Sequence, residues 1–266
     1  MNIIFLSASF IFGSLIGSFL NVVILRLPRE QKITGRSMCP RCGHGLSAWD
    51  MLPFFSYLLL GGRCRYCRGK ISPRYFAIEL ITALLFAVGW QVLMPVSAAA
   101  WLLLFKFWVA AAVLVAVFVI DWEHFIILDS VLITGSVFAL FINLLRDILQ
   151  HSGFAWHGYF VSGLVAAAAG SLPFFLLWLI SHGEWIGFGD VKLGLLLGLL
   201  LGWPQIYAGY FIAFILGGFI SLGLVIFAHK GLKTRLPFGT FLSVGTIIAL
   251  LFGPRLLAWY LAFLGF

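Results

Sequence analysis

Charged residues are scarce in this sequence. They make up 10% of its 266 residues, whereas 62% are hydrophobic and the mean hydropathy is +1.09. A soluble domain is about half apolar and about a quarter charged. A soluble fold of this length could not bury so much apolar surface, so the composition excludes an ordinary soluble protein and predicts one embedded in a lipid bilayer.

Two motifs that would point to other classes of protein are also missing. No Gly-x-Gly-x-x-Gly element follows a predicted strand, which excludes a soluble Rossmann domain for a cofactor. The net charge is +8, but neither a basic soluble domain nor an aromatic RNA-binding motif accompanies it. We therefore expect no nucleic-acid partner.

Long apolar runs are what the chain has in abundance. A membrane-spanning helix needs about 20 mostly apolar residues. Eight runs are candidates, over about 3–25, 75–95, 98–120, 125–145, 159–181, 191–203, 205–228 and 238–262. The sixth is short, so it would be tilted, broken or shielded by its neighbours. The predicted fold class is an all-α polytopic membrane protein with about eight transmembrane helices.

The basic residues predict the orientation of these helices. Ten of the 17 lie between Arg26 and Arg74, and four more lie in two later loops. Those four are Lys192, Lys230, Lys233 and Arg235. The positive-inside rule assigns all three loops to the cytoplasm and both termini to the outer side. The first run has its charges after it, so we interpret it as a retained span and not as a cleaved signal.

One polar insert interrupts the apolar pattern, between the first two spans. We divide the chain into a first transmembrane helix at 1–27, a cytoplasmic cysteine-rich insert at 28–73 and a transmembrane domain at 74–266, which would carry any catalytic residues.

All four cysteines lie in that insert, as two Cys-x-x-Cys pairs with 21 residues between them. They are Cys39, Cys42, Cys64 and Cys67. Two such turns supply four thiolates in a tetrahedron, which is the geometry of structural zinc, and Gly43 would permit a tight turn. Zinc would fold an insert too small to build its own core, and no open position would remain for catalysis. Dithiol redox chemistry is the alternative, and His44 could replace one cysteine.

Two of the nine acidic residues lie where apolar runs meet the cytoplasmic edge. Asp121 follows a run of eight apolar residues, and Asp190 ends the segment Gly187-Phe-Gly-Asp190. Two carboxylates that meet there could share one proton, so that one activates water and the other polarises a peptide carbonyl. Gly187 and Gly189 would let backbone or substrate approach Asp190 closely.

Other interpretations of these acids stay open. Asp190 could simply cap the sixth span, and Asp121 could be an ordinary interfacial charge. Asp129 competes with Asp121 as the partner of Asp190. We prefer Asp121 because it adjoins the longer apolar run.

Several segments together resemble the type IV prepilin leader peptidase/N-methyltransferase family. In chain order they are Gly17–Pro28, Ser47–Pro53, Gly62–Cys67, Ile71–Tyr75 with Glu79, Ile120–Asp121, Leu128–Asp129, Gly187–Leu193 and Leu236–Gly239. The match runs over nearly the whole chain. It departs at Leu128, where the family commonly has proline.

The resemblance implies a GxGD-type aspartic protease of the bacterial inner membrane with Asp121 and Asp190 as its catalytic pair. Such enzymes remove short basic leaders from prepilins and from type II secretion pseudopilins at the cytoplasmic edge. Bifunctional members then methylate the new N-terminal amine with S-adenosylmethionine, and the cysteine insert is associated with that bifunctional type.

Two further sets of polar residues carry weaker hypotheses. Glu123, Asp129 and Glu184 lie on the side of the proposed pair, so they would contact the basic leader or else be plain interfacial acids. Asn21, Arg74 and Glu79 would bind the cofactor or else be buried structural groups, and we leave the cofactor site unassigned.

Three alternative functions remain: a peptidase without methyl transfer, a transporter with a proton-carrying Asp pair, and a membrane scaffold. A transporter would favour repeated halves and acids near mid-bilayer, whereas the acids here cluster at one edge.

Overall fold

The computed structural model describes residues 2–151, 158–228 and 236–263, and in those ranges the chain is helical and has no named strand. The helices are α1 (Asn2–Arg26), α2 (Phe55–Leu59), α3 (Pro73–Leu93), α4 (Ala98–His124), α5 (Asp129–His151), α6 (Tyr159–Ile180), α7 (Phe188–Leu201), α8 (Gln205–Ala228) and α9 (Phe238–Phe263). The all-α prediction is confirmed. Three of the basic residues used to predict orientation, Lys230, Lys233 and Arg235, lie outside the described residues.

Within the described ranges, seven helices are long and apolar enough to cross a membrane: α1, α3, α4, α5, α6, α8 and α9. The polytopic fold class is therefore confirmed. The remaining predicted span, 191–203, corresponds to α7, which has only 14 residues. Its length is about 21 Å at about 1.5 Å per residue, which is less than the bilayer hydrocarbon thickness of about 30 Å.

Neighbouring helices shelter the short helix α7. It packs on α5, α6 and α9, and Leu193, Leu196 and Leu197 are fully buried. A Cβ added at Gly198 would collide with the backbone of α6 at Ala166 and Ala167. Small residues allow such close backbone approach between membrane helices, so glycine is what brings α7 against α6.

The C-terminal end of α7 is completed by side chains from two other helices. The carbonyl oxygen of Leu199 accepts hydrogen bonds from Asn143 Nδ2 at 2.9 Å and from Lys106 Nζ at 3.3 Å. Lys106 Nζ also donates to Asn143 Oδ1 at 2.7 Å, and both side chains are buried. Hydrocarbon holds no water that could satisfy the carbonyl groups at a helix end. The buried lysine on α4 therefore stabilises α7.

The chain forms two compact units, Met1–Met94 and Pro95–Phe266. In the first, α1 and α3 pack antiparallel through glycines. A Cβ at Gly13 would lie 2.8 Å from Ala83 Cα, and one at Gly17 would lie 2.7 Å from Glu79 Cα. The second unit contains α4 to α9.

A matched pair of glycine substitutions tests the packing of α7. Gly198→Ala should lower the free energy of unfolding by about 3 kcal/mol or more, because the added methyl meets backbone that cannot move aside. Gly218→Ala on α8 is the control, since a Cβ there has nothing within 4 Å. We expect the control to be neutral or slightly stabilising. Thermal unfolding in detergent measures both, and equal midpoints would contradict the close α6–α7 contact.

Candidate functional site

The four cysteines lie on two turns with the same backbone design. The carbonyl oxygen of Cys39 accepts from the Gly43 N–H at 2.9 Å, and that of Cys64 accepts from the Arg68 N–H at 3.0 Å. Gly43 has φ 70° and Arg68 has φ 57°. The tight turn predicted at Gly43 is confirmed, and the second turn has the same left-handed conformation although an arginine occupies that position.

These turns bring all four thiols together. The Sγ atoms of Cys39, Cys42, Cys64 and Cys67 lie within 4.8 Å of one another, and the sulfurs of Cys39 and Cys67 are 3.9 Å apart. The thiols are free of disulfides. Sulfurs bound at about 2.3 Å to one tetrahedral zinc ion are about 3.8 Å apart. The predicted cluster is formed, and its donor set fits a metal ion.

Asp50 joins the second turn to the rest of the cysteine loop. Its carboxylate accepts from the Ser47 backbone N–H and hydroxyl at one oxygen and from Arg65 Nε at 2.7 Å at the other. Burial raises the pKa of Asp50, but the hydrogen bonds from Arg65 and Ser47 outweigh that effect and hold the pKa at about 2. His44 is exposed and its ring lies 3.6 Å from the Tyr66 ring.

Asp121 lies near the C-terminal end of α4, and its carboxylate meets the N-terminus of α9. The residue is 5% exposed, and its Oδ2 accepts from the Thr240 N–H at 3.1 Å. A Cβ at Gly239 would lie only 2.8 Å from that oxygen. The approach of α9 to Asp121 therefore requires glycine at 239, which gives the Leu236–Gly239 motif a role that sequence analysis did not assign.

Asp190 lies in the first turn of α7 and is half-buried. Its backbone N–H closes that turn on the Gly187 carbonyl oxygen at 3.1 Å. Ile127 lies against the Cβ positions of both Gly189, which precedes Asp190, and Gly239, which contacts Asp121, so the fold brings the two acids to the same region. The sequence favoured this pair, and its catalytic role stays a prediction.

The two glycines before Asp190 have different surroundings. A Cβ at Gly189 would lie 3.1 Å from Ile127 Cβ, whereas a Cβ at Gly187 would meet nothing closer than 3.9 Å. Gly189 is therefore required for packing, while Gly187 leaves open space beside Asp190.

Ile127 is a residue of the site that sequence analysis missed. It lies in the connection between α4 and α5, beside Gly189, and its Cδ1 atom is 3.2 Å from the Cβ position of Gly239. The left-handed Phe125, at φ 55°, ends α4 by donating its N–H to the Asp121 carbonyl oxygen at 2.9 Å. This turn forms without the proline that the family commonly has. No sequence pattern marks Ile127, because its role depends on glycines in two distant segments.

Two of the three acids that the sequence assigned to leader binding have partners of their own. Both Asp129 oxygens accept from Lys192 Nζ, at 2.7 and 2.8 Å, so a cation on α7 holds Asp129. Glu123 Oε2 lies 4.0 Å from His124 Nε2, and Glu184 is exposed. Their predicted contact with a basic leader stays a prediction.

Three polar residues of the first unit were candidates for a cofactor site. Glu79 Oε2 accepts from the Phe54 N–H at 3.1 Å, and Asn21 Nδ2 donates to the Tyr75 carbonyl oxygen at 3.1 Å. Asn21 Oδ1 is buried and has no hydrogen-bond partner among the described residues. The Arg74 guanidinium lies 5.3 Å from the centre of the Tyr75 ring.

Comparison with family models places the chain in a class of membrane peptidases. Residues 11–92 match the Bacterial Peptidase A24 N-terminal domain. Residues 108–222, which include both aspartates, match the Type IV leader peptidase family. No solved structure matches the chain.

Relatives that cover nearly the whole chain define the family. The prepilin leader peptidase/N-methyltransferase of Aeromonas salmonicida is 32% identical over 97% of this chain and 94% of its own length. Proteins of the same description from Pseudomonas aeruginosa and Bacillus subtilis are also 32% identical, over 98% and 96% of this chain and 95% and 98% of their own lengths. The chain belongs to the type IV leader peptidase family.

The contact between Gly239 and Asp121 generates a prediction. Gly239→Ala should displace the Asp121 carboxylate and reduce peptide cleavage by about 100-fold or more, which is the usual contribution of a positioned acid or base. The matched control is Gly217→Ala, because a Cβ there makes only ordinary contact with Phe241 at 3.4 Å. Cleavage of a prepilin-like peptide in detergent measures the effect, and near-normal turnover by Gly239→Ala would refute the contact.

Proposed function

We propose that this protein cleaves the basic leader from prepilins and type II secretion pseudopilins at the cytoplasmic edge of the bacterial inner membrane. It then methylates the new N-terminal residue with S-adenosylmethionine. The family and the shared description of its full-length relatives support both activities. The observation that carries the peptidase is the Asp121 carboxylate, held at the N-terminus of α9, with Ile127 lying against the glycines beside both Asp121 and Asp190.

The surroundings of the two acids suggest how they divide the chemistry. The Thr240 N–H donates to the Asp121 carboxylate, and a hydrogen bond to the ionised form favours that form, so we assign Asp121 as the ionised member and Asp190 as the carrier of the shared proton. Asp121 takes a proton from water as the water oxygen attacks the scissile carbonyl carbon, while Asp190 donates a hydrogen bond to the carbonyl oxygen. Collapse of the tetrahedral intermediate breaks the C–N bond, and the leaving amine takes the proton that Asp121 received.

The distribution of basic and acidic residues supports the proposed cytoplasmic location of the cysteine loop. The ten basic residues between Arg26 and Arg74 favour a cytoplasmic cysteine loop, in which only Glu30 and Asp50 are acidic. A basic leader would avoid this loop and bind instead at Glu123, Asp129 and Glu184. At Asp129 a leader Lys or Arg would replace Lys192, whose ion pair is largely exposed and therefore weak.

Methyl transfer needs S-adenosylmethionine, which supplies an electrophilic methyl group on a sulfonium centre when bound. Asn21 and Glu79 would suit its polar groups, since Asn21 Oδ1 is a buried acceptor with no partner among the described residues and Glu79 offers carboxylate oxygens. The mass of the cleaved product distinguishes this proposal from a peptidase without methyl transfer, because the methylated product carries one additional methyl group. Family membership removes the basis for the transporter and scaffold alternatives.

Isosteric substitutions test the proposed pair. Asp121→Asn and Asp190→Asn should each reduce leader cleavage by about 100-fold or more, because an amide can neither take nor give the proton. Asp147→Asn is the control, since Asp147 is buried in the same unit but caps α6 through the Tyr159 and Phe160 N–H groups. The assay is cleavage of a prepilin-like peptide in liposomes.

Two outcomes would count against the pair in that assay. Cleavage by both Asn variants at the wild-type rate would reject Asp121 and Asp190 as the acid and base. Loss of cleavage in Asp129→Asn with retention in Asp121→Asn would make Asp129 the partner of Asp190.

We further propose that the four thiolates hold one structural zinc ion. All four donors would be used, so the metal would fold the loop and take no part in catalysis. Purified protein should contain one zinc per chain, and Cys42→Ser or a chelator should remove it and make the loop sensitive to protease. The control His44→Ala should keep the metal, because that ring packs on Tyr66. Metal analysis decides this, and a metal-free protein with disulfides would favour redox chemistry instead.

A further inference from the structure

The cysteine insert contains one apolar run, Met51–Leu60, which has no charged residue. The rest of the insert is rich in arginine and lysine. Ten residues are too few to cross a bilayer, but such a length suits a segment that enters and leaves on the same side. The structure shows how deep this run lies.

Contacts of Phe54 with α1 and α3 measure that depth. The Phe54 N–H donates to Glu79 Oε2 at 3.1 Å, and Glu79 lies about 9 Å along α3 from Pro73 at about 1.5 Å per residue. The Phe54 ring is 5.6 Å from the Phe10 ring, and Phe10 lies about 24 Å along α1 from Arg26 on the same scale. Both helices are long and apolar enough to cross a membrane, so Phe54 lies level with residues inside both helices and not beyond their ends.

The backbone of this run is suited to hydrocarbon because it bonds to itself. The N–H groups of Ser56, Leu58 and Leu60 donate to the carbonyl oxygens of Leu52, Phe54 and Ser56. The run reverses direction at Phe54, whose φ of 62° and ψ of −53° are a strained γ-turn conformation. Non-helical backbone at membrane depth is tolerated where it is buried against protein. Here the non-helical residue Phe54 lies against α1 and α3, and the residues after it form the helix α2.

The two sides of the run differ in what they contact. Phe54 and Tyr57 face α3, with ring centres 5.8 and 5.5 Å from that of Phe76. On the other side Phe55, Leu58 and Leu59 are 66%, 63% and 84% exposed. Large apolar side chains that are exposed at this depth meet the medium that surrounds the spans.

We propose that Met51–Leu60 is a re-entrant segment whose outer face, formed by Phe55, Leu58 and Leu59, binds the acyl chains of bilayer lipids. This segment lies between the two cysteine pairs in the chain, so the cysteine cluster is anchored to the membrane and is not part of a freely soluble insert. This inference depends on the membrane fold alone and is independent of the proposed chemistry.

Spin labelling of the full-length protein in vesicles of phosphatidylethanolamine and phosphatidylglycerol tests the proposal. Leu59→Cys is compared with Ile33→Cys, which is 43% exposed in the polar part of the insert. Identically treated wild-type protein corrects for labelling of the native thiols. Collision rates are measured with oxygen, which dissolves in lipid, and with a hydrated nickel chelate, which does not.

At position 59 the nickel collision rate should be at least about tenfold lower than at position 33, while oxygen access stays high, because the hydrocarbon core excludes a hydrated ion. Equal nickel access at both positions would overturn the proposal by placing Leu59 in water. Exclusion of both oxygen and nickel at position 59 would also overturn it, because a second copy or another protein would then cover the segment. The readout does not use cleavage, so its failure would leave the peptidase proposal intact.

Discussion

The absence of hydrogen-bonding solvent in hydrocarbon governs the architecture around the two aspartates. A helix that stops inside the membrane leaves carbonyl groups that only protein can satisfy. α7 stops after 14 residues, and Lys106 and Asn143 complete its end at Leu199. Because that end is held by α4 and α5, the opposite end of α7, which carries Asp190, has a defined position relative to α4.

The same constraint operates at Asp121, where an acid and a helix terminus satisfy each other. The N-terminus of α9 has unpaired N–H groups, and the Asp121 carboxylate accepts one of them from Thr240. Close approach requires Gly239, as the close approach of α6 and α7 requires Gly198. Some glycines of this protein, such as Gly198 and Gly239, are therefore required for close contact between helices. Others, such as Gly218, are not.

The cysteine loop combines two sources of order in a segment with little core. One is the turn that follows Cys39 and is repeated after Cys64. A bound metal would join these two turns. The other is the packing of Phe54 against α1 and α3. A small loop with few buried apolar side chains needs such additional constraints to hold one structure.

Local sequence patterns were sufficient for several features of this protein. Apolar runs longer than about 18 residues predicted seven spans, because span length is set by bilayer thickness. The Cys-x-x-Cys spacing predicted the thiol cluster, because each pair is closed within one short turn. The segment Gly187–Asp190 marked one acid, and the order of motifs along the chain marked the family.

Only the tertiary structure decided which distant residues meet. Thr240 and Asp121 are 119 positions apart, and Lys106 and Leu199 are 93 apart. The insertion of Ile127 beside Gly189 and Gly239 and the pairing of Asp129 with Lys192 are equally non-local. Helical periodicity determines where a span begins and ends, but the register between helices depends on side-chain packing and on the pairing of buried polar groups, which no local pattern encodes.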